Sequence, residues 1–198
     1  VPLAVRWPGK IPADRVIDDF VCLPDLAPTF IEAASLSPPD VMTGRSLLPI
    51  LKSEKSGLID ATRDAVIVGR ERHVAAARTD NMPYPQRAIR TKDFLYIRNF
   101  KPERWPMGTG SGYGRPSGPF PDFNTLANNT FAEFGDLDAS PTKAWLMEEF
   151  RNGERGYLKQ EFQFAFGRRP AEELFDLRAD PHQIQNVSDS PAYAEAKK

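Results

Sequence analysis

The chain has 198 residues, of which 40% are hydrophobic, 27% charged and 11% aromatic; this is enough apolar side chain to bury a core in one or two domains, and it excludes a wholly disordered polypeptide. Lys plus Arg number 26 against 27 Asp plus Glu, a formal net charge of −1, so no global field holds a polyanion and no nucleic-acid partner is expected. One cysteine and two widely separated histidines, His73 and His182, exclude an internal disulfide and a Cys/His zinc cluster, so any metal would need oxygen ligands.

No run of about 18 apolar residues marks a membrane span, and prolines at positions 2 and 8 interrupt anything resembling a signal peptide. The chain reads as soluble, with no membrane partner. It opens without an initiator Met on an apolar stretch, residues 3–7, that suggests a strand already under way in a fragment or processed chain. Pro8-Gly9 stops that strand with a turn. The 19 prolines are near twice the usual share of about 5% and predict a loop-rich surface.

A second β-rich piece spans residues 16–21. Leu26, Phe30, Ile31 and Ala34 then fall on one face of a helix, whose start is placed between Asp25 and Pro28 because a proline deeper in the helix removes a backbone hydrogen bond. Residues 43–51 predict a short helix capped by Thr43 or Ser46. The polar stretch 52–63 is the candidate domain boundary. A strand is expected over 65–69, and residues 87–98 predict a β-hairpin reversing at 91–93, since Ala88, Ile89, Phe94, Tyr96 and Ile97 are β-formers on either side of a polar turn.

Residues 101–125 are too rich in Gly and Pro for a regular element, yet Trp105, Tyr113, Phe120 and Phe123 make them an ordered loop rather than a linker. Ser140-Pro141 opens a helix by a Ser cap and a Pro in the first turn, and Asn152-Gly153 ends it. A second aromatic helix is expected over 157–166, a last strand over 172–177 with a turn through Asp180-Pro181, and a frayed helix over 192–198.

Taken in order, Val1-Pro-Leu-Ala-Val-Arg-Trp-Pro-Gly-Lys-Ile11, Asp25-Leu-Ala-Pro-Thr29, Thr43-Gly-Arg-Ser-Leu47, Arg87-Ala-Ile-Arg-Thr-Lys-Asp-Phe-Leu-Tyr-Ile97 and Glu173-Leu-Phe-Asp-Leu-Arg-Ala-Asp-Pro181, with Asn186, resemble the C-terminal part of the formylglycine-dependent sulfatases. Tyr84-Pro-Gln-Arg87, Arg98-Asn-Phe100 and Asn128-Asn-Thr130 are most similar to the heparan N-sulfatase (sulfamidase) branch. The resemblance implies an alkaline-phosphatase-like α/β fold. In it, residues 1–55 are the C-terminal end of the large catalytic α/β domain, and residues 60–198 form a small C-terminal α+β subdomain with an antiparallel sheet.

The implied function is that of the C-terminal portion of a sulfatase acting on sulfate esters or sulfamates of glycans, completing the fold and lining the substrate cleft. The family's catalyst, a Cys-x-Pro-x-Arg signature oxidised to formylglycine, and its Ca²⁺ would then lie upstream of Val1, neither being held by this chain. The implied partners are that missing N-terminal catalytic part and a sulfated carbohydrate. An unpaired edge at residues 3–7 would also promote a homo-oligomer. Two alternatives stand beside this reading: a phosphonate or phosphodiester hydrolase of the same superfamily, and a non-catalytic module that binds sulfated glycans.

Cys22-Leu-Pro-Asp-Leu26 matches half of the formylglycine signature, but Leu26 stands where Arg is required, so Cys22 is read as a small hydrophobe. Gly69-Arg-Glu-Arg-His73 places a carboxylate, guanidiniums and an imidazole at a strand end, groups able to hold an anionic sugar. The resemblance assigns Glu71 and His73 to substrate binding; the alternative is a surface ion-pair cluster, which is also the reading for Arg70 and Arg72. Arg87, Arg90 and Arg98 are expected on a solvated hairpin face, with room for one of them to reach the cleft. His182 is expected to be exposed or capping, and Trp105, Tyr113 and Phe120 to pack in the core or stack on sugar rings.

Overall fold

The structure, a computed structural model, describes residues 3–111, 114–115, 119–153 and 158–197. Tyr113, Tyr157 and Lys198, all assigned above, lie outside the described residues. The chain divides into two compact units, Val1–Val66 with Ile89–Lys92 and Ile67–Ala88 with Asp93–Lys198.

In the first unit, residues 3–7 form no strand, and Leu3 and Val5 are exposed. Local β-propensity is not sufficient: a strand needs a neighbour to take its backbone donors and acceptors, and among the described residues none pairs with this stretch. The β-rich piece 16–21 is likewise reduced to one bridge, Ile17 to Gly57. A 3₁₀ turn, Leu23–Asp25, leads into helix α1, Leu26–Ala33.

The start of α1 agrees with the sequence reading, but the buried face does not. Phe30 is 66% exposed while Pro28 and Thr29 are buried. The helix is turned by polar ties rather than by its apolar stripe: the Thr29 hydroxyl donates to the Asp25 carbonyl at 2.6 Å and accepts the Leu47 amide at 2.8 Å. Helix α2, Leu48–Lys52, is shorter than expected; neither Thr43 nor Ser46 is its N-cap, although the Ser46 hydroxyl accepts the Leu48 amide. Arg15 satisfies the carbonyls at the end of α2, donating to Ile50 O at 3.1 Å and Leu51 O at 2.5 Å.

The Asp25 carboxylate is the hub of this unit. It accepts the Cys22 amide at 3.1 Å, the Arg45 amide at 2.8 Å and Arg63 Nη1 at 2.8 Å, while Arg63 Nη2 donates to the carbonyls of Arg45 and Ser46. Gly44 lets the two strips of chain meet. A Cβ there would stand 2.1 Å from Pro24 O and 2.9 Å from Asp25 N. The Asp25-Leu-Ala-Pro-Thr29 and Thr43-Gly-Arg-Ser-Leu47 motifs are therefore two halves of one buried latch.

The strands that follow are β1 (Ala65–Arg70), β2 (Gln86–Thr91), β3 (Phe94–Asn99) and the two-residue pair β4 (Gly110–Ser111) and β5 (Gly114–Arg115). Then come α3 (Phe123–Asn128), α4 (Pro141–Asn152), α5 (Leu158–Phe166) and β6 (Glu172–Asp176). The main sheet has the order β1-β2-β3-β6. Strand β6 runs antiparallel to β3, with Tyr96 opposite Leu174.

Helix α3 begins inside the stretch 101–125 that was expected to hold no regular element, because the Asp122 side chain accepts the Thr125 amide at 2.8 Å and caps it. Helix α4 starts as its sequence dictates, with Ser140 accepting the Lys143 amide and Pro141 in the first turn. The C-terminal helix expected over 192–198 is instead two 3₁₀ turns, Pro191–Tyr193 and Glu195–Lys197.

The core of the second unit gathers Leu126, Phe134, Ala144, Met147, Phe162 and Phe166, all nearly inaccessible to solvent. Phe134 and Phe166 lie 4.8 Å apart between ring centroids, a spacing at which aromatic pairs add to simple area burial, and Phe150 lies parallel to Phe162 at 3.7 Å. Among the described residues no helix is long and apolar enough to cross a membrane.

Candidate functional site

Glu71 and His73 leave the end of β1 on an exposed loop of the second unit. The loop is fixed at its backbone, since Glu71 O accepts the Tyr84 amide at 2.8 Å. The Glu71 carboxylate, 61% exposed, pairs with Arg87 Nη2. Arg87 also donates through Nη1 to Gln86 O at 2.8 Å. Its side chain crosses Gly69 so closely that a Cβ there would meet Arg87 Cδ at 2.8 Å and Nε at 3.1 Å.

The His73 imidazole is 64% exposed, with Nδ1 3.9 Å from Asp136 Oδ1. That separation is too long for a direct hydrogen bond. Asp136 is itself buried and immobilised, accepting the Val74 amide at 3.0 Å and Arg78 Nη2 at 2.6 Å. Arg78 donates further to Trp105 O and Pro106 O. A rigid, buried ion pair thus underlies an exposed imidazole.

Neither Arg70 nor Arg72 has a carboxylate partner among the described residues, so the loop carries excess positive charge once Glu71 is engaged by Arg87. Of the hairpin arginines, Arg90 bonds the carbonyl of Thr91 at 2.8 Å and Arg98 pairs with Glu172 at 2.7 Å. His182 is exposed. Trp105 packs against Phe134 with centroids 5.9 Å apart and carries the Arg168 guanidinium over its ring at 5.1 Å, which is core packing rather than an open platform for sugar. Phe120, 57% exposed, lies under the Arg151 guanidinium at 4.1 Å.

Of the residues similar to the sulfamidase branch, Tyr84 and Asn99 are interior, while Arg87, Arg98, Phe100, Asn128 and Asn129 are exposed. Tyr84 is fully buried, and burial in the company of Glu173 pushes its phenol up to about 12. Asn99 accepts from Gln86 Nε2 at 2.8 Å and donates from Nδ2 to Glu173 Oε1 and Pro170 O, each at 2.8 Å. Asn99 thus ties the end of β3 to the start of β6.

A cavity of about 800 Å³ belongs to the first unit, walled by aliphatic side chains such as Val5, Val16, Ile17 and Leu51. Of its charged groups, Arg15 caps α2, Asp19 accepts the amides of Ile59 at 2.7 Å and Asp60 at 2.6 Å, and Arg90 donates to Thr91 O. Cys22 is half-buried, and its amide bonds to Asp25. No group of three or more His, Cys, Asp and Glu able to hold a metal ion occurs among the described residues.

Residues 1–107 match the family described as N-sulphoglucosamine sulphohydrolase, C-terminal, and the chain belongs to that family. It is 27% identical over 193 residues to an ulvan-active sulfatase of Formosa agariphila, which covers 97% of this chain and 26% of that protein. It is 26% identical over 191 residues to the human N-sulphoglucosamine sulphohydrolase, covering 91% of this chain and 30% of that protein. A solved structure described as BT4656 in complex with its substrate D-glucosamine-2-N,6-O-disulfate aligns over 87% of this chain and 21% of its own, at 18% identity and a TM-score of 0.43. The chain spans from 26% to 34% of the length of the ulvan-active sulfatases it matches.

Proposed function

We propose that this chain is the C-terminal portion of a sulfatase that hydrolyses sulfate esters or sulfamates of glycans, and that its segment 69–73, the end of β1 and the loop after it, forms one wall of the substrate cleft. The observation that carries the reading is the family match over residues 1–107, a span that contains Glu71 and His73. The exposure of both side chains on a loop held rigid from beneath supports it, because a cleft wall presents polar groups outward and leaves the opposite wall to other sequence. The formylglycine and the Ca²⁺ of the family are assigned to sequence outside this chain, where Ca²⁺ would be held by oxygen ligands and offset charge on the transferred group. What these residues do is bind and orient: the cationic loop attracts the anionic sugar, and His73, backed by Asp136, donates toward it.

The test pairs the 198-residue chain with the complete protein on a glucosamine N-sulfate and an aryl sulfate. Turnover is expected from the complete protein alone, and His73→Ala in it is expected to raise KM for the sugar more than for the aryl sulfate. Turnover by the isolated chain, or a complete protein that hydrolyses phosphodiesters and no sulfate, overturns the reading.

A further inference from the structure

We infer that Arg87 is the sulfate-reading residue of this wall, and that Glu71 acts through it rather than on the ligand directly. The inference rests on the preceding reading that segment 69–73 faces a sulfated glycan, and it changes which side chain makes the contact. The Glu71 carboxylate is taken by Arg87 Nη2. Both residues come from anchored backbone: Glu71 O holds the Tyr84 amide, and Arg87 follows Gln86 at the start of β2.

Arg87 uses one donor on Glu71 and one on Gln86 O. A guanidinium has further N–H groups beyond these, and with the side chain 48% exposed they have access to solvent. Gly69 has a specific part in this, because only a residue without Cβ lets the Arg87 stem lie across β1. The result is a planar donor edge whose orientation is set before any ligand arrives, which is the condition under which Arg recognises an oxyanion with little loss of side-chain freedom. Arg70 and Arg72 add charge nearby without such a mount.

The experiment is calorimetric titration of the complete protein with a heparin-derived tetrasaccharide and with its desulfated counterpart. Losing a charge-assisted contact is expected to weaken Kd for the sulfated sugar roughly tenfold or more in Arg87→Gln, with little change for the desulfated one. Glu71→Gln is expected to weaken binding in the native background and to add nothing once Arg87→Gln is present. Gly69→Ala, whose new methyl meets the movable end of a side chain, is expected to weaken binding while the melting temperature stays the same.

If Arg87→Gln binds within about twofold of native, or if the two substitutions are additive, Glu71 touches the ligand itself and the inference falls. An equal loss for the desulfated sugar makes Arg87 a carboxylate reader and also overturns it. Failure of the broader reading looks different: the native protein would bind sulfated and desulfated sugars alike, and His73→Ala would change neither.

Discussion

Removing the Asp25 carboxylate leaves the Arg63 guanidinium, whose side chain is 3% exposed, with the carbonyls of Arg45 and Ser46 and, for counter-charge, the half-exposed Asp60 carboxylate 3.7 Å from its Nε. Breaking a buried pair by deleting one partner costs about 3–5 kcal/mol, and Asp25→Ala also orphans the amides of Cys22 and Arg45. The expected loss lies in that range. Arg63→Ala is expected to cost less, because the carboxylate keeps two amide donors. The double variant should cost less than the sum, with a coupling of about 1–3 kcal/mol. Urea unfolding supplies the global figure. The chain's one cysteine, Cys22, sits on the same carboxylate, so its thiol-labelling rate reads local opening of the latch. Burial opposes ionisation of Asp25, but the Arg45 amide, the Arg63 guanidinium and the Cys22 amide together hold its carboxyl below the ordinary 3.8. With the folded value depressed, the stabilisation is complete above the unfolded value and is lost as pH falls through the lower folded one, so the gap between native and Asp25→Ala should close below about pH 4. A cost under about 1 kcal/mol, additive single variants, or a gap indifferent to acid would refute the assignment of this pair as the hub.

Gly44→Ala places a methyl against the backbone of Pro24 and Asp25, which has no rotamer to escape into; a loss of about 1–3 kcal/mol in urea unfolding is expected, and a neutral result would mean the latch is not closed. Lys143 is buried with its ammonium on the carbonyls of Thr130, Phe134 and Leu137, and burial pushes it down to about 8. Because the unfolded lysine binds its proton up to about 10.5, native stability should rise with pH between those values, and that slope should vanish in Lys143→Met. Tyr84→Phe should be neutral or stabilising in thermal unfolding, since the buried hydroxyl has no hydrogen-bond partner among the described residues and its removal leaves none of them unsatisfied.

The elements legible in the sequence were those whose signals are local. Ser140, Pro141 and Gly153 bracket α4 within a residue, and the alternation around residues 91–93 gives β2 and β3, because caps and turns are set by the residues that form them. Where the reading failed, the deciding partner lay far along the chain. Phe30 of α1 is exposed while Thr29, tied to Leu47, is buried, and Lys143 is buried although lysine favours solvent, because three carbonyls of the loop before α4 converge on it. For the same reason no sequence signal announced Asp136 beneath His73, or the engagement of Glu71 by Arg87 across Gly69.

This division bears on how the family is to be read from its motifs. Asp25, Gly44, Asn99 and Asn186 are spent on the chain's own interior, Asn186 through the Leu174 and Ser188 amides and the Glu172 carbonyl. Substituting them alters stability first and substrate choice only through it. The groups open to a ligand, on Arg70, Arg72, His73 and Arg87, sit at the end of β1, on the loop after it and at the start of β2, where none of the buried hydrogen bonds described above depends on their side chains. Members of the family that act on different sulfated sugars are therefore expected to share the latch and differ in this loop. Exchanging residues 69–73 together with 87 between two such enzymes should move specificity while leaving the melting temperature nearly unchanged; exchanging Arg87 without Gly69 and Glu71 should not, since the guanidinium would arrive without its mount.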